Sequence, residues 1–238
     1  MLWYKAWLET RLRFLICLVF ITGFCSWQVF RMDHGLTSPV NDRYYNRVLH
    51  TADSQIALWW LAAVSVLTMG GLLREKAVGA ASFTLALPYS RTHLTGVRMA
   101  VSLMQAIALI VIPWIAVFVT GSVAGNTHSV GQALFHLALM VGGGVVLYGT
   151  GFLVSSVVEG EYTAPMVSVG VVMTIGLVFG DDSFRSYSPI SFMMGAGIYN
   201  PRVDLLTGAV PWLRIAVFTL AAVILLALSI KTIQKREF

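Results

Sequence analysis

The feature that most constrains this chain is a run of 60 consecutive residues, 99–158, without a single Asp, Glu, Lys or Arg. In an ordinary soluble domain about a quarter of the residues are charged, whereas here 11% are charged and 57% are hydrophobic over all 238 residues. The mean hydropathy of +0.77 is equally unlike that of a soluble protein. Two cysteines are too few for a disulfide-based scaffold. The sequence therefore predicts an all-α integral membrane protein with a single domain, residues 1–238.

Apolar stretches predict six transmembrane helices, since a helix needs about 20 mostly apolar residues to cross a bilayer. The charge-free run must supply two of them, because a cluster of turn-forming residues at 121–129 divides it. The predicted spans are residues 14–30, 54–73, 98–120, 132–157, 162–180 and 215–230.

Two further segments are predicted not to cross the membrane. Residues 1–13 place apolar side chains on one helical face and Lys5 and Glu9 on the other, which is typical of an amphipathic in-plane helix. The alternative is an aromatic belt at the start of the first span. Residues 181–210, which Pro189 and Gly195 interrupt, are predicted to form an extracellular re-entrant or interfacial segment. A seventh span there would place the lysine-rich C-terminus outside.

The distribution of basic residues predicts that both termini are cytoplasmic. With six spans, one side of the membrane collects ten Lys and Arg residues, including all four lysines, and the other side collects six. Cytoplasmic loops carry the excess of Lys and Arg, so the lysine-rich side is assigned to the cytoplasm. The net charge of +5 then faces the cytosol and anionic membrane lipid. The pI of about 9.4 therefore needs no nucleic acid as partner.

The sequence contains no recognisable catalytic motif. It has no phosphate-binding P-loop, no HExxH, no GxSxG and no paired cysteine ligands. We interpret Glu159-Gly160-Glu161 as a solvated turn rather than a metal site. No ionisable residue lies at a predicted mid-membrane position, which argues against a carrier driven by protons or sodium. We therefore expect no catalytic residue, no metal and no cofactor in this chain.

Some residues inside the predicted spans are candidates for a role beyond contact with lipid. Glycines 142–144 in the fourth span predict close helix packing, either within one subunit or between two. For His136 a structural hydrogen bond is favoured over a proton relay. The sequence does not identify hydrogen-bond partners for the polar side chains in these spans, which are Gln28, Gln105, His136 and Tyr148.

The predicted cytoplasmic loop at 74–97, between the second and third spans, carries the most informative pattern. Residues 77–87 can form a short helix, which Pro88 ends. Ser90 then lies where an N-cap would start the third span. Charged residues flank the short helix on both sides, which favours a docking element over a simple connection.

This loop resembles the corresponding loop in the membrane subunits of ABC-2-type transporters. In that family an acidic residue follows the second span and a small residue comes about four positions later. A Leu and a Leu-Pro pair then precede a small residue and a basic residue that lead into the third span. The matching residues here are Glu75, Gly79, Leu85, Leu87, Pro88, Ser90 and Arg91. The resemblance extends to the plan of an in-plane helix, six spans and a re-entrant segment before the last span.

The resemblance implies a permease subunit of an ATP-driven transporter, most simply an exporter, in the bacterial cytoplasmic (inner) membrane. Its partners would be cytoplasmic ABC ATPase subunits, which bind ATP and Mg²⁺, and a second permease subunit, identical or different. The matching residues would belong to the coupling helix that docks on the ATPase. The alternative, from a different functional class, is a membrane scaffold, sensor or immunity protein that recruits a cytoplasmic partner without transport. A third and weaker hypothesis is an intramembrane enzyme.

Overall fold

The computed structural model describes residues 2–34, 42–68, 90–123, 129–158, 163, 166–167, 169–171, 174, 187–200, 202 and 205–235. These residues form a mostly helical bundle. Its elements are α1 (Leu2–His34), α2 (Asp42–Leu67), α3 (Arg91–Val123), α4 (Val130–Val157), the short α5 (Pro189–Met193), β1 (Tyr199–Asn200), β2 (Leu205–Leu206) and α6 (Trp212–Lys235).

Four helices in the described part of the chain are long and apolar enough to cross a membrane, namely α1, α3, α4 and α6. They correspond to the first, third, fourth and sixth predicted spans and indicate a membrane-embedded protein. The second and fifth predicted spans are not established. Helix α2 contains residues 54–67 of the second, but its first half is polar and residues 69–73 lie outside the described part. Of the fifth, the described residues between Thr163 and Thr174 are helical.

The separate in-plane helix predicted for residues 1–13 is wrong, because α1 is one continuous helix from Leu2 to His34. The physical reason is that no Pro or Gly occurs before Gly23, so nothing interrupts the helix between the amphipathic part and the span. Trp3 and Trp7 stay exposed, as expected for an aromatic belt, while Ala6 is buried.

The contacts of α3 define the directions of the first helices. Helices α1 and α3 are parallel, since Ala6 packs near Val97 and Thr10 bonds to Gln105 farther along both helices. Helices α3 and α4 are antiparallel, since α3 residue Ser102 contacts Tyr148, whereas the later Ile110 lies beside the earlier Gly144. The N-terminal ends of α1 and α3 therefore lie beside the C-terminal end of α4. We call this the loop end of the bundle and the opposite one the far end.

Glycines let α4 approach its neighbours closely, and α4 is the most deeply buried of the four long apolar helices. An added Cβ at Gly142 would lie 3.0 Å from Ile215, and one at Gly149 would lie 3.4 Å from Ala222. Helices α4 and α6 are therefore parallel, and α6 also ends at the loop end. These glycines pack within the subunit, which favours the first of the two predicted roles.

Trp60 joins three helices at the centre of the core. The ring is almost fully buried, and its Nε1 donates a 2.7 Å hydrogen bond to the Ala106 carbonyl oxygen. A Cβ at Gly144 would lie 3.0 Å from the same ring. This buried and hydrogen-bonded indole fixes α2 against α3 and α4.

The segment predicted for 181–210 folds at the far end as far as it is described. Ser188 caps α5 by accepting a 3.3 Å bond from the Ser191 amide, and Pro189 occupies the first turn. Gly195 has φ +73°, a conformation that favours glycine, and reverses the chain toward the antiparallel pair β1–β2. Pro189 therefore begins the short helix, and Gly195 forms the chain reversal after it, so the chain is interrupted at both predicted residues.

Candidate functional site

Only the last two residues of the predicted coupling motif are described. Ser90 and Arg91 stand at the start of α3, at the loop end. The other five lie outside the described residues, and they are Glu75, Gly79, Leu85, Leu87 and Pro88. The described part of the motif is therefore the start of α3, where the loop joins the bundle.

Ser90 is the N-cap of α3, as the sequence predicts. Its Oγ accepts a 3.2 Å hydrogen bond from the His93 amide, and its carbonyl oxygen accepts a 3.1 Å bond from the Leu94 amide. An N-cap side chain satisfies an amide that has no partner inside the helix. Residues 91–97 of the predicted cytoplasmic loop already form the first two turns of α3.

The first turns of α3 pack directly on the start of α1. Ala6, Val97 and Val101 are buried together, with Leu2 packed against them. Helix α1 thus covers the part of α3 that follows the loop. A displacement of the loop that moves the start of α3 must also move this part of α1, because close-packed side chains leave little free space.

An ion pair ties the same two helices together. Arg98 Nη2 lies 3.0 Å from Glu9 Oε2 and 3.3 Å from Oε1, so the guanidinium contacts both carboxylate oxygens. Lys5 Nζ lies 3.8 Å from the same carboxylate, one turn earlier on α1. Lys5 and Glu9 share one predicted helical face, whereas the ion pair between Glu9 and Arg98 could not be predicted from the sequence. The only available signal was that Arg98 is the last charge before the 60-residue run.

Polar contacts continue deeper into the bundle on both sides of α3. Gln105 Nε2 donates a 2.8 Å bond to Thr10 Oγ1 on α1. The fully buried Tyr148 on α4 donates a 2.8 Å bond to the Met99 carbonyl oxygen and lies 2.7 Å from Ser102 Oγ. Two polar residues noted from the sequence, Gln105 and Tyr148, thus find partners that could not be read from it. Residues 98–105 of α3 are joined by polar contacts to α1 and to α4.

A second polar group lies at the far end. The His50 ring on α2 stacks on Tyr199 with 3.8 Å between centroids, and the His136 ring lies 6.2 Å from His50. Gln132 donates a 2.9 Å bond to the Leu206 carbonyl oxygen and accepts a 3.1 Å bond from the Leu206 amide. The His50–Tyr199 stack and the Gln132–Leu206 bonds attach the β1–β2 segment to α2 and α4.

Within the described ranges, no group of three or more His, Cys, Asp or Glu residues could hold a metal ion. The contacts at the loop end join the start of α3 to α1 and to α4.

Comparison with known proteins does not assign the chain to a family. No family model matches the chain, and no curated protein matches it.

Proposed function

We propose that this protein is the membrane-spanning permease subunit of an ATP-driven exporter of the ABC-2 type. The observation that carries the proposal is the loop motif, whose seven residues match the order of the family pattern. The capped start of α3 directly after that motif supports it. In this proposal the loop docks on a separate ATP-binding subunit and a second permease subunit completes the pathway.

The contacts of α3 provide a route by which a docked loop acts on the membrane part. Within the four turns after Arg91, α3 contacts α1 through the Glu9–Arg98 ion pair and contacts α4 through Tyr148. Closure of the ATPase subunits would push on the loop, and the joined helices would tilt together. The chain itself then needs no nucleotide site.

The proposal includes six spans, a re-entrant segment at 181–210, and both termini in the cytoplasm. The parallel directions of α1 with α3 and of α4 with α6 support it, because they bring the start of α1 and the end of α6 to the same end of the bundle. That end carries the basic residues Lys5, Arg11, Arg13, Lys231 and Lys235. An excess of Lys and Arg is the mark of the cytoplasmic side.

We expect reporter fusions to show this topology. A reporter active only in the cytoplasm should work when fused after Phe238, and one active only outside should work when inserted at 122–129. The physical reason is that short basic segments resist translocation. A C-terminal reporter that is active only outside would contradict the six-span arrangement.

The functional test is assembly with an ATPase. We expect the chain, co-expressed with an ABC ATPase encoded beside it, to purify as a complex that hydrolyses ATP in liposomes. The chain alone should neither bind nor hydrolyse ATP, because it lacks the phosphate-binding loop. Specific ATP binding by the isolated chain would contradict the proposal. A stable complex with a partner that is not an ATPase would favour the scaffold or immunity alternative.

A further inference from the structure

A small cleft between α1 and α3 opens at the loop end of the bundle. Its lining is apolar apart from two basic side chains, and consists of Leu2, Lys5, Ala6, Leu94, Val97 and Arg98. The cavity measures about 10 Å³, which holds one water molecule at most. An anion would therefore bind at the rim, where Lys5 and Arg98 stand, rather than inside.

The residues around the rim favour a position at the depth of lipid headgroups. Arg98 directly precedes the charge-free run that begins at Met99, so it marks the boundary of the hydrocarbon region. On α1, Trp3 and Trp7 are exposed beside Lys5. Exposed tryptophans are typical of the membrane interface.

The charges around the rim favour an anionic ligand. Residues 1–13 and 90–98 together contain five Lys and Arg residues and one carboxylate, Glu9. The carboxylate lies 3.0 Å from Arg98 Nη2 and 3.8 Å from Lys5 Nζ, so both cations already face one negative group. The position of Glu9 shows where an anion is stabilised. Because five basic residues accompany this one carboxylate, the surrounding surface stays positive.

An apolar surface continues from the rim toward the membrane interior. Leu8, Leu12, Leu15, Ile16 and Val19 are exposed along α1, with Arg11 as a further exposed basic residue between them. Such a surface suits acyl chains, whereas a free phosphate ion gains nothing from it. These exposed apolar side chains therefore favour a lipid over a soluble anion as the ligand.

We propose that the rim of the α1–α3 cleft binds the phosphate group of an anionic phospholipid, with Lys5 and Arg98 facing the phosphate and the acyl chains lying along the exposed side of α1. Basic pockets between transmembrane helices are known to bind anionic headgroups. The site bridges the two helices that the Glu9–Arg98 pair joins. It does not depend on the transport function, and its test needs no ATPase.

The experiment is native mass spectrometry of the full chain in detergent, titrated with dioleoylphosphatidylglycerol. Dioleoylphosphatidylcholine has the same acyl chains without the net charge and serves as the lipid control. Inorganic phosphate, added as a competitor, separates a lipid site from a site for the free ion. Lys5→Gln removes one rim charge, and Lys231→Gln removes an exposed lysine from α6 at the same end of the bundle as a matched control.

We expect phosphatidylglycerol to bind Lys5→Gln about fivefold more weakly than the wild type, the effect of one basic residue near the membrane surface. Lys231→Gln should bind like the wild type. Glu9→Gln should bind about fivefold more tightly, because the competing charge is removed while an oxygen remains to accept from Arg98. Thermal stability of each variant shows that it is folded.

Several results would overturn the proposal. These are equal binding of the two lipids, unchanged affinity in Lys5→Gln, weaker binding in Glu9→Gln, or displacement of the lipid by millimolar phosphate. The Glu9→Gln arm distinguishes ligand binding from a merely structural ion pair, since loss of a structural pair does not strengthen lipid binding.

Discussion

Gly79→Trp is expected, under the proposed function, to abolish assembly of the chain with an ABC ATPase while leaving the membrane part folded. The ABC-2 pattern that the loop resembles has a small residue at this position, and a bulky indole in a docked helix would hold the two surfaces apart. Well-packed interfaces tolerate such a gap poorly. The measurement is pull-down of the ATPase from membranes, together with substrate-stimulated ATP hydrolysis in liposomes.

Glu75→Lys is a second variant of the same test that acts through charge. Like charges brought together at an interface cost several kcal/mol, so binding of the ATPase should weaken by roughly a hundredfold. Salt should partly restore it, because exposed charges are screened. Salt should not restore binding of the ATPase to Gly79→Trp, since the size of the indole, rather than its charge, prevents docking.

The matched control for the loop is Gly131→Trp, which makes the same substitution at an exposed position at the far end, at the start of α4. It should assemble and transport like the wild type, and membrane abundance should be equal for all three variants. If Gly79→Trp and Glu75→Lys both bind the ATPase normally, this loop is not the coupling element. The proposed function then loses its main support.

Gly143→Leu is expected to have the largest effect on stability. A Cβ at this position would lie 2.6 Å from Met193 Cγ and 2.7 Å from the Pro189 carbonyl oxygen. The methionine side chain can move, but the backbone carbonyl belongs to α5 and can move only with that helix. Overpacking of this kind costs about 1–3 kcal/mol. We expect the free energy of unfolding in mixed micelles to fall by about 2 kcal/mol.

Gly23→Leu provides the comparison for this variant. Gly23 lies inside α1, is exposed, and has no atom within 4 Å of the position of an added Cβ. The same substitution there should leave stability unchanged or raise it by up to about 1 kcal/mol, because glycine is a poor helix former. Equal losses in both variants would mean that the contact between α4 and α5 does not limit stability.

Some parts of the fold could be predicted because their causes are local in the chain. Apolar length predicted α1, α3, α4 and α6, since burial in lipid depends on composition over about 20 residues. The cap at Ser90 and the break at Pro189 follow from single residues that act on the adjacent backbone. The same local reasoning misplaced the boundary at residue 13, where no residue breaks the helix.

Tertiary structure decided which distant groups meet. Composition marks Gln105 and Tyr148 as unusual in a membrane helix, but their partners Thr10 and Ser102 lie 95 and 46 residues away in the chain. The Glu9–Arg98 pair spans 89 residues and depends on α1 and α3 being parallel. Hydropathy and helix caps depend on residues within one segment of the chain, whereas these contacts depend on how whole helices pack against one another.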